Sequence, residues 1–219
     1  MKKLIVVGAG ETARLATVYF AESGRHVSAY AVDRRSEPDQ FYMGAPVVEI
    51  DDLQEGFLAS EFEAFVAVGS SGMNADRERL CAKMLELGYE LTTCVSPKAL
   101  IASDVRVEPN AFIMEGCIVQ SGASVGEGAT LWCGVVVAHK TIVGSYSWLA
   151  PSVAIGGASQ IGARCFVGVG ASIGDNVKTG QGNLIGAGSV VTKSISESNC
   201  AFTGNPLVKL DDNVYRRFA

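Results

Sequence analysis

The 219-residue chain has little of several things that define whole classes of protein. It has two histidines, His26 and His139, and its six cysteines never form a CxxC pair. The cysteines stand singly, which fits reduced thiols in a cytoplasmic protein better than a disulfide framework. No apolar run is long enough to span a bilayer, so no membrane-spanning helix is expected, and the opening MKKLIVVGAGET lacks a secretory signal pattern. Basic charge is also short: the net charge of −5 argues against a general nucleic-acid binder. With 48% apolar and 19% charged residues, the composition is that of a folded chain.

What is present is unevenly spread. Residues 1–94 carry 9 basic and 15 acidic side chains and 8 of the 25 glycines; residues 95–219 carry 9 basic, 8 acidic and 17 glycines. The break falls beside Ser96-Pro97, a dipeptide that favours extended or turn backbone. A domain boundary is therefore expected between 94 and 95.

Beyond it the sequence repeats every six residues. Counting from Val95, an aliphatic side chain recurs at Ile101, Val107, Ile113, Val119 and onward through Val137, Val143, Ile155 and Ile173 to Val191, with Thr179 the one exception. Two residues before each stands a small or β-branched residue, such as Ala111, Cys117, Thr141 and Ser159. Neither helical nor simple strand periodicity produces a strict period of six sustained from Val95 to Val191. A parallel β-helix does. Each short strand turns one aliphatic residue inward, small side chains fit the corners, and three successive repeats close one coil.

The first 94 residues read as a small Rossmann-like α/β unit with a parallel sheet. Strands are expected at Lys3–Val7, Val27–Val32 and Phe65–Val68, and a helix from Thr12 to Ser23 ending at Gly24. A second helix is expected to start at Asn74 as its capping residue and to end at Gly88. Gly8-x-Gly10-x-x-Ala13 after the first strand resembles a dinucleotide fingerprint, although a tight strand-to-helix turn needs the same glycines. Asp33, at the tip of the second strand, stands where an acid would bind a ribose hydroxyl. About 94 residues supply only roughly half of the doubly wound fold, so a mononucleotide or nucleotide-linked sugar fits better than a dinucleotide. His26 reads as a surface residue. A zinc site of the three-histidine kind is excluded, since only His139 lies in the repeat.

A Gly-x-Gly α/β unit running into an uninterrupted hexapeptide coil, with Val137-Ala138-His139 followed by Val143-Gly144, then Leu149-Ala150-Pro151 and a closing Thr203-Gly204-Asn205-Pro206, resembles the hexapeptide-repeat sugar acetyltransferases. These include the bacillosamine-pathway and perosamine N-acetyltransferases and the sialic-acid O-acetyltransferases. The resemblance covers nearly the whole chain. It implies a left-handed coil, a homotrimer with sites between subunits, and acetyl-CoA as co-substrate without a metal. By the same resemblance His139 is the general base, and Gly157, one coil above it, gives its N–H to the thioester oxygen. Coenzyme A contacts map to Trp148, Val169 and Ala187; nucleotide-sugar contacts map to Gly10, Glu11, Thr12, Asp33, Arg34 and Gly69. The implied activity is N-acetylation of a nucleotide-linked amino sugar for surface-glycan synthesis, with sugar O-acetylation of the sialic-acid type as the alternative and a non-catalytic scaffold as a third.

Two departures stand out. Relatives often carry a carboxylate directly after the histidine, where this chain has Lys140, a cation that would lower an imidazole pKa. Glu11 puts negative charge beside a helix N-terminus where a phosphate would lie.

Overall fold

The structure is a computed structural model that describes residues 2–33 and 41–214. Its N-terminal part is a six-stranded sheet in the order β3-β4-β2-β1-β5-β6. The strands are β1 (Lys3–Val7), β2 (Val27–Val32), β3 (Phe41–Tyr42), β4 (Ala45–Glu49), β5 (Phe62–Val66) and β6 (Glu90–Leu91). All neighbours pair parallel except β3, which turns back antiparallel on β4. Helices α1 (Glu11–Glu22) and α2 (Ala75–Glu86) flank it. The strand expected at Phe65–Val68 instead begins at Phe62, because Phe62, Ala64, Phe65 and Val66 are all buried. The β3–β4 hairpin was not read from the sequence, its strands being short and interrupted by Gly44 and Pro46.

From Cys94 onward the chain forms three parallel sheets built mainly of two-residue strands, as the six-residue period requires. One sheet stacks Val95, Ile113, Leu131, Leu149, Val167 and Ile185, each three repeats after the last. A second stacks Ile101, Val119, Val137, Ile155, Ile173 and Val191. The third stacks Val107, Val125, Val143 and Ile161, and continues as the single parallel bridges Gln160–Lys178 and Thr179–Ile195. Each coil rises roughly 4.8 Å, the spacing of hydrogen-bonded strands. The fold is an α/β unit followed by a left-handed parallel β-helix. Inside the coil the aliphatic residues form one continuous core, and the small corner residues Ala111, Cys117, Thr141, Ser147 and Ser159 are buried with them. The corner hydroxyls of Thr141, Ser147 and Ser159 donate to the Gly156, Gly162 and Gly174 carbonyls at 2.8, 2.8 and 2.7 Å. Thr179 replaces the aliphatic side chain with a hydroxyl that accepts the Gly162 N–H at 3.0 Å.

The two parts are tied by specific polar groups. Asn110 clamps β5, accepting from Val66 N–H at 2.7 Å and donating to Val66 O at 3.1 Å. Phe112 meets Tyr19 of α1 and Phe65 of β5 edge-on, with centroids 5.7 and 5.5 Å apart. Arg77 of α2 is 2% exposed and makes no ion pair among the described residues. Its guanidinium donates to Gly128 O at 2.8 Å, Tyr146 O and Asn74 Oδ1 at 3.1 Å and Gly69 O at 3.3 Å. It also lies over the Trp148 ring, 5.2 Å from the centroid. Burial lowers its pKa to about 10, which leaves it protonated at neutral pH. Asn74 is thereby diverted from the expected capping role: it takes a left-handed conformation, and its side chain serves Arg77 and the Cys165 carbonyl.

Replacing Arg77 by alanine removes hydrogen bonds to oxygens of both parts. We expect a loss of about 3 kcal/mol in unfolding free energy, read by urea denaturation.

Candidate active site

His139 lies at the corner after Val136–Val137 and before Ile142–Val143. The stacking of coils puts Ser121, His139, Gly157 and Asp175 in one column along that corner. Backbone bonds join the levels: Lys140 N–H to Ser121 O at 3.1 Å, Ala158 N–H to His139 O at 2.8 Å, and Asn176 N–H to Gly157 O at 2.9 Å. The His139 ring lies against the Gly157 Cα. A methyl group at Gly157 would stand 2.7 Å from Nε2 and 2.9 Å from Nδ1, so only glycine leaves room for the imidazole. The His139 backbone N–H is held by Gln120 Oε1 at 3.0 Å. The residue is exposed, and its ring has no hydrogen bond or ion pair among the described residues. An exposed imidazole of this kind can accept a proton from an incoming group.

Gly157 is buried, and its N–H points to the Asp175 carboxylate, donating to Oδ1 at 2.5 Å. The amide expected to hold an oxyanion thus already has an acceptor from its own chain. Asp175 was not foreseen, although its place one coil above Gly157 could be counted in the sequence.

The N-terminal residues gather at the carboxyl edge of the sheet. Gly8 has φ +115°, and a Cβ there would come within 2.7 Å of Ala67 O, so this glycine is demanded by strand packing. Gly10 has open space around its Cα, as a ligand-facing glycine would. Glu11 is neutralised by Arg14, whose Nε donates to its carboxylate at 2.9 and 3.0 Å. That hydrogen bond holds its pKa below the ordinary value. The negative charge at the helix N-terminus is therefore paired along the helix surface. Thr12 is partly buried in the first turn of α1. Asp33 borders a cleft of about 250 Å³ with Val7, Gly8, Ser71 and Arg79. It accepts from Arg79 Nη2 at 2.6 Å, and Lys83 Nζ stands 3.9 Å away. Arg79 and Lys83 are contributors that the sequence reading missed, because both come from α2, far along the chain from Asp33. Gly69 sits nearby as an acceptor for Arg77. Arg34 lies outside the described residues.

The three expected cofactor residues part company. Trp148 is 7% exposed, sandwiched between Arg77 and Trp132, whose ring centroid is 5.4 Å away. Its side of the coil is largely covered by the N-terminal part, so little of the expected indole surface is open. Val169 and Ala187 are exposed and stacked at a different corner from His139, with Gly188 N–H bonded to Val169 O at 2.8 Å. His26 is exposed, as expected. Five of the six cysteines are buried, and burial pushes Cys117 and Cys165 up to about 11. Among the described residues no three His, Cys, Asp or Glu groups are gathered as a metal site, and no helix is long and apolar enough to cross a membrane.

No protein-family model matches the chain, and no curated sequence matches it to significance. Solved structures do. A histidine-to-asparagine variant of perosamine N-acetyltransferase from Caulobacter crescentus, in complex with CoA and GDP-perosamine, superposes with a TM-score of 0.87 at 26% identity, covering 96% of this chain and 97% of that one. This is the fold of the hexapeptide-repeat sugar acetyltransferases. The acetyltransferase domain of PglB from Neisseria gonorrhoeae, in complex with acetyl coenzyme A, gives 0.84 at 23% identity over 95% of this chain and 99% of that one. WeeI from Acinetobacter baumannii gives 0.84 at 21% identity over 96% and 100%. The likeness supports an acyltransferase, the class that the family resemblance had implied.

The tight seat of the imidazole yields a direct test. Gly157 does not need a left-handed backbone, so Gly157→Ala is expected to fold, with a melting temperature within about 4 °C of the parent. The added methyl should displace the His139 ring, seen as a changed imidazole resonance in ¹H–¹⁵N spectra.

Proposed function

We propose that the protein is an acetyl-CoA-dependent N-acetyltransferase acting on the amino group of a nucleotide-linked sugar. The observation that carries this reading is the unpartnered His139 imidazole seated on Gly157 at a coil corner, in a chain 26% identical to an N-acetyltransferase solved with CoA and GDP-perosamine, over a match covering 96% of its length. Residues 1–94 are read as the nucleotide-sugar-binding part and residues 95–219 as the acyl-transfer part.

Acetyl-CoA supplies an acyl carbonyl already activated as a thioester. What the chain must add is proton handling and placement. His139 takes the proton from the acceptor amine as the new C–N bond forms, and returns it to the departing sulfur as the C–S bond breaks. Neutral imidazole suits this, and an amine asks less of the base than a hydroxyl does. Among the described residues no acid bonds to the His139 ring, which favours N- over O-acetylation on that ground. The Gly157 N–H would serve the oxygen on which negative charge grows, once Asp175 releases it.

The exposed, stacked Val169 and Ala187 form an apolar ledge that fits the arm of coenzyme A. This ledge and His139 stand at different corners of the β-helix and on different coils, so a second copy placed alongside is what would bring a ledge to the imidazole. A homotrimer with a site at each junction satisfies this. Asp33, with Arg79 and Lys83, offers an acceptor for a ribose hydroxyl and cations for phosphate; Gly10, Glu11, Thr12 and Gly69 frame the same edge. The free thiols suit a cytoplasmic enzyme that prepares sugars for surface glycans.

Thiol release from acetyl-CoA in the presence of a nucleotide-linked amino sugar tests the proposal. His139→Ala should lower turnover about 10²–10⁴-fold, with CoA affinity kept; full turnover in this variant would remove the base role. Asp33→Ala should raise KM for the sugar nucleotide about tenfold and leave kcat nearly unchanged, as expected for lost ground-state binding.

A further inference from the structure

The contact between Asp175 and Gly157 sets a problem that the proposed chemistry must solve. The Gly157 amide is buried, and its one acceptor is the Asp175 Oδ1 at 2.5 Å. Asp175 itself is exposed at its corner. The carboxylate makes no other hydrogen bond or ion pair among the described residues. The backbone of Gly156 also crowds it, a Cβ there lying 2.7 Å from Oδ1. A carboxylate oxygen therefore rests against the buried Gly157 N–H, while the His139 ring packs on the Cα of the same residue.

Two negative oxygens cannot share one N–H, and a carboxylate this near opposes charge growing on a second oxygen. A buried amide without an acceptor is in turn unfavourable. Together these require an exchange: the amide keeps Asp175 until another oxygen arrives, and then passes to that oxygen. An exposed aspartate can turn into water about χ1, whereas a buried one could not.

We infer that Asp175 is a positioning residue that holds the Gly157 N–H until the acyl oxygen of the thioester displaces it ahead of transfer. The inference rests on the acyltransferase reading above. It makes Asp175 a discriminator: a thioester has an oxygen with which to compete for the amide, and the thiol end of free CoA has none. The side chain thus weakens productive binding of acetyl-CoA while keeping the corner formed before it binds.

The test is to measure acetyl transfer by the parent, Asp175→Ala and Asp175→Asn, and to titrate acetyl-CoA and CoA separately by calorimetry. Removing the competitor should lower KM for acetyl-CoA about three- to tenfold in Asp175→Ala, the worth of one hydrogen bond. The kcat should hold or rise, and Asp175→Asn, which keeps a neutral acceptor, should fall between. CoA affinity should not change. A merely structural aspartate would give the opposite sign, with transfer and stability lost together. The inference is overturned if KM for acetyl-CoA is unchanged or raised in Asp175→Ala, or if both ligands respond equally. Should the alanine variant fail to fold, the asparagine variant carries the same comparison with a smaller shift. A parent with no acetyl transfer would sink the functional reading and this inference with it; a working parent with an indifferent Asp175 sinks this inference alone.

Discussion

The hydrogen bond from each coil to the next is the constraint from which the rest follows. Ala138 N–H reaches Ile155 O at 3.0 Å and Gly156 N–H reaches Ile173 O at 2.7 Å, so residues three repeats apart are locked one above the other. With roughly 4.8 Å between levels, a side chain lying across its corner occupies the space of the residue above or below it. His139 lies over position 157 and position 157 is glycine; Tyr146 lies over position 128 and position 128 is glycine. The same stacking carries Asp175 to the amide of Gly157. Chemistry at this corner is a vertical arrangement, and the ladder fixes it before any ligand is present.

That regularity explains how much of the molecule could be read in advance. The six-residue period constrains every strand of the coil at once, so its three sheets and three-repeat turn were legible from Val95 to Val191. Even the Thr179 exception fell in place, its hydroxyl serving the Gly162 amide. The resemblance of the solved structures rests on this same pattern. In the N-terminal part, local signals gave β1, α1 and β2, while the β3–β4 hairpin has too short a pattern to register. What escaped was long-range. Asn74 has the composition of a cap, yet it serves Arg77 and the coil carbonyl of Cys165. Trp148 occupies a repeat position that faces outward, and only the docking of α2 decides that outward means buried. Glu11 read as a misplaced charge until Arg14, one helical turn on, was seen to hold it.

Arg77 shows how the two parts depend on each other. A buried guanidinium without a carboxylate is unfavourable in isolation, and it persists here because oxygens from the loop before α2 and from the coil converge on it. Such a cation specifies one docking geometry, since rotating the N-terminal part would strand it. The placement of the Asp33 cleft relative to the coil is therefore set by a residue that reaches the cleft only at the Val68 carbonyl behind it.

This separation bears on how the site can work. The cleft beside Asp33 is lined by residues between Val7 and Leu80 alone, and the described contacts of His139 are all within the coil. Val169 and Ala187 stand at another corner again. The rigid stacking that orders His139 over Gly157 also fixes Val169 and Ala187 at their own corner, so the backbone ladder sets the relative placement of all four.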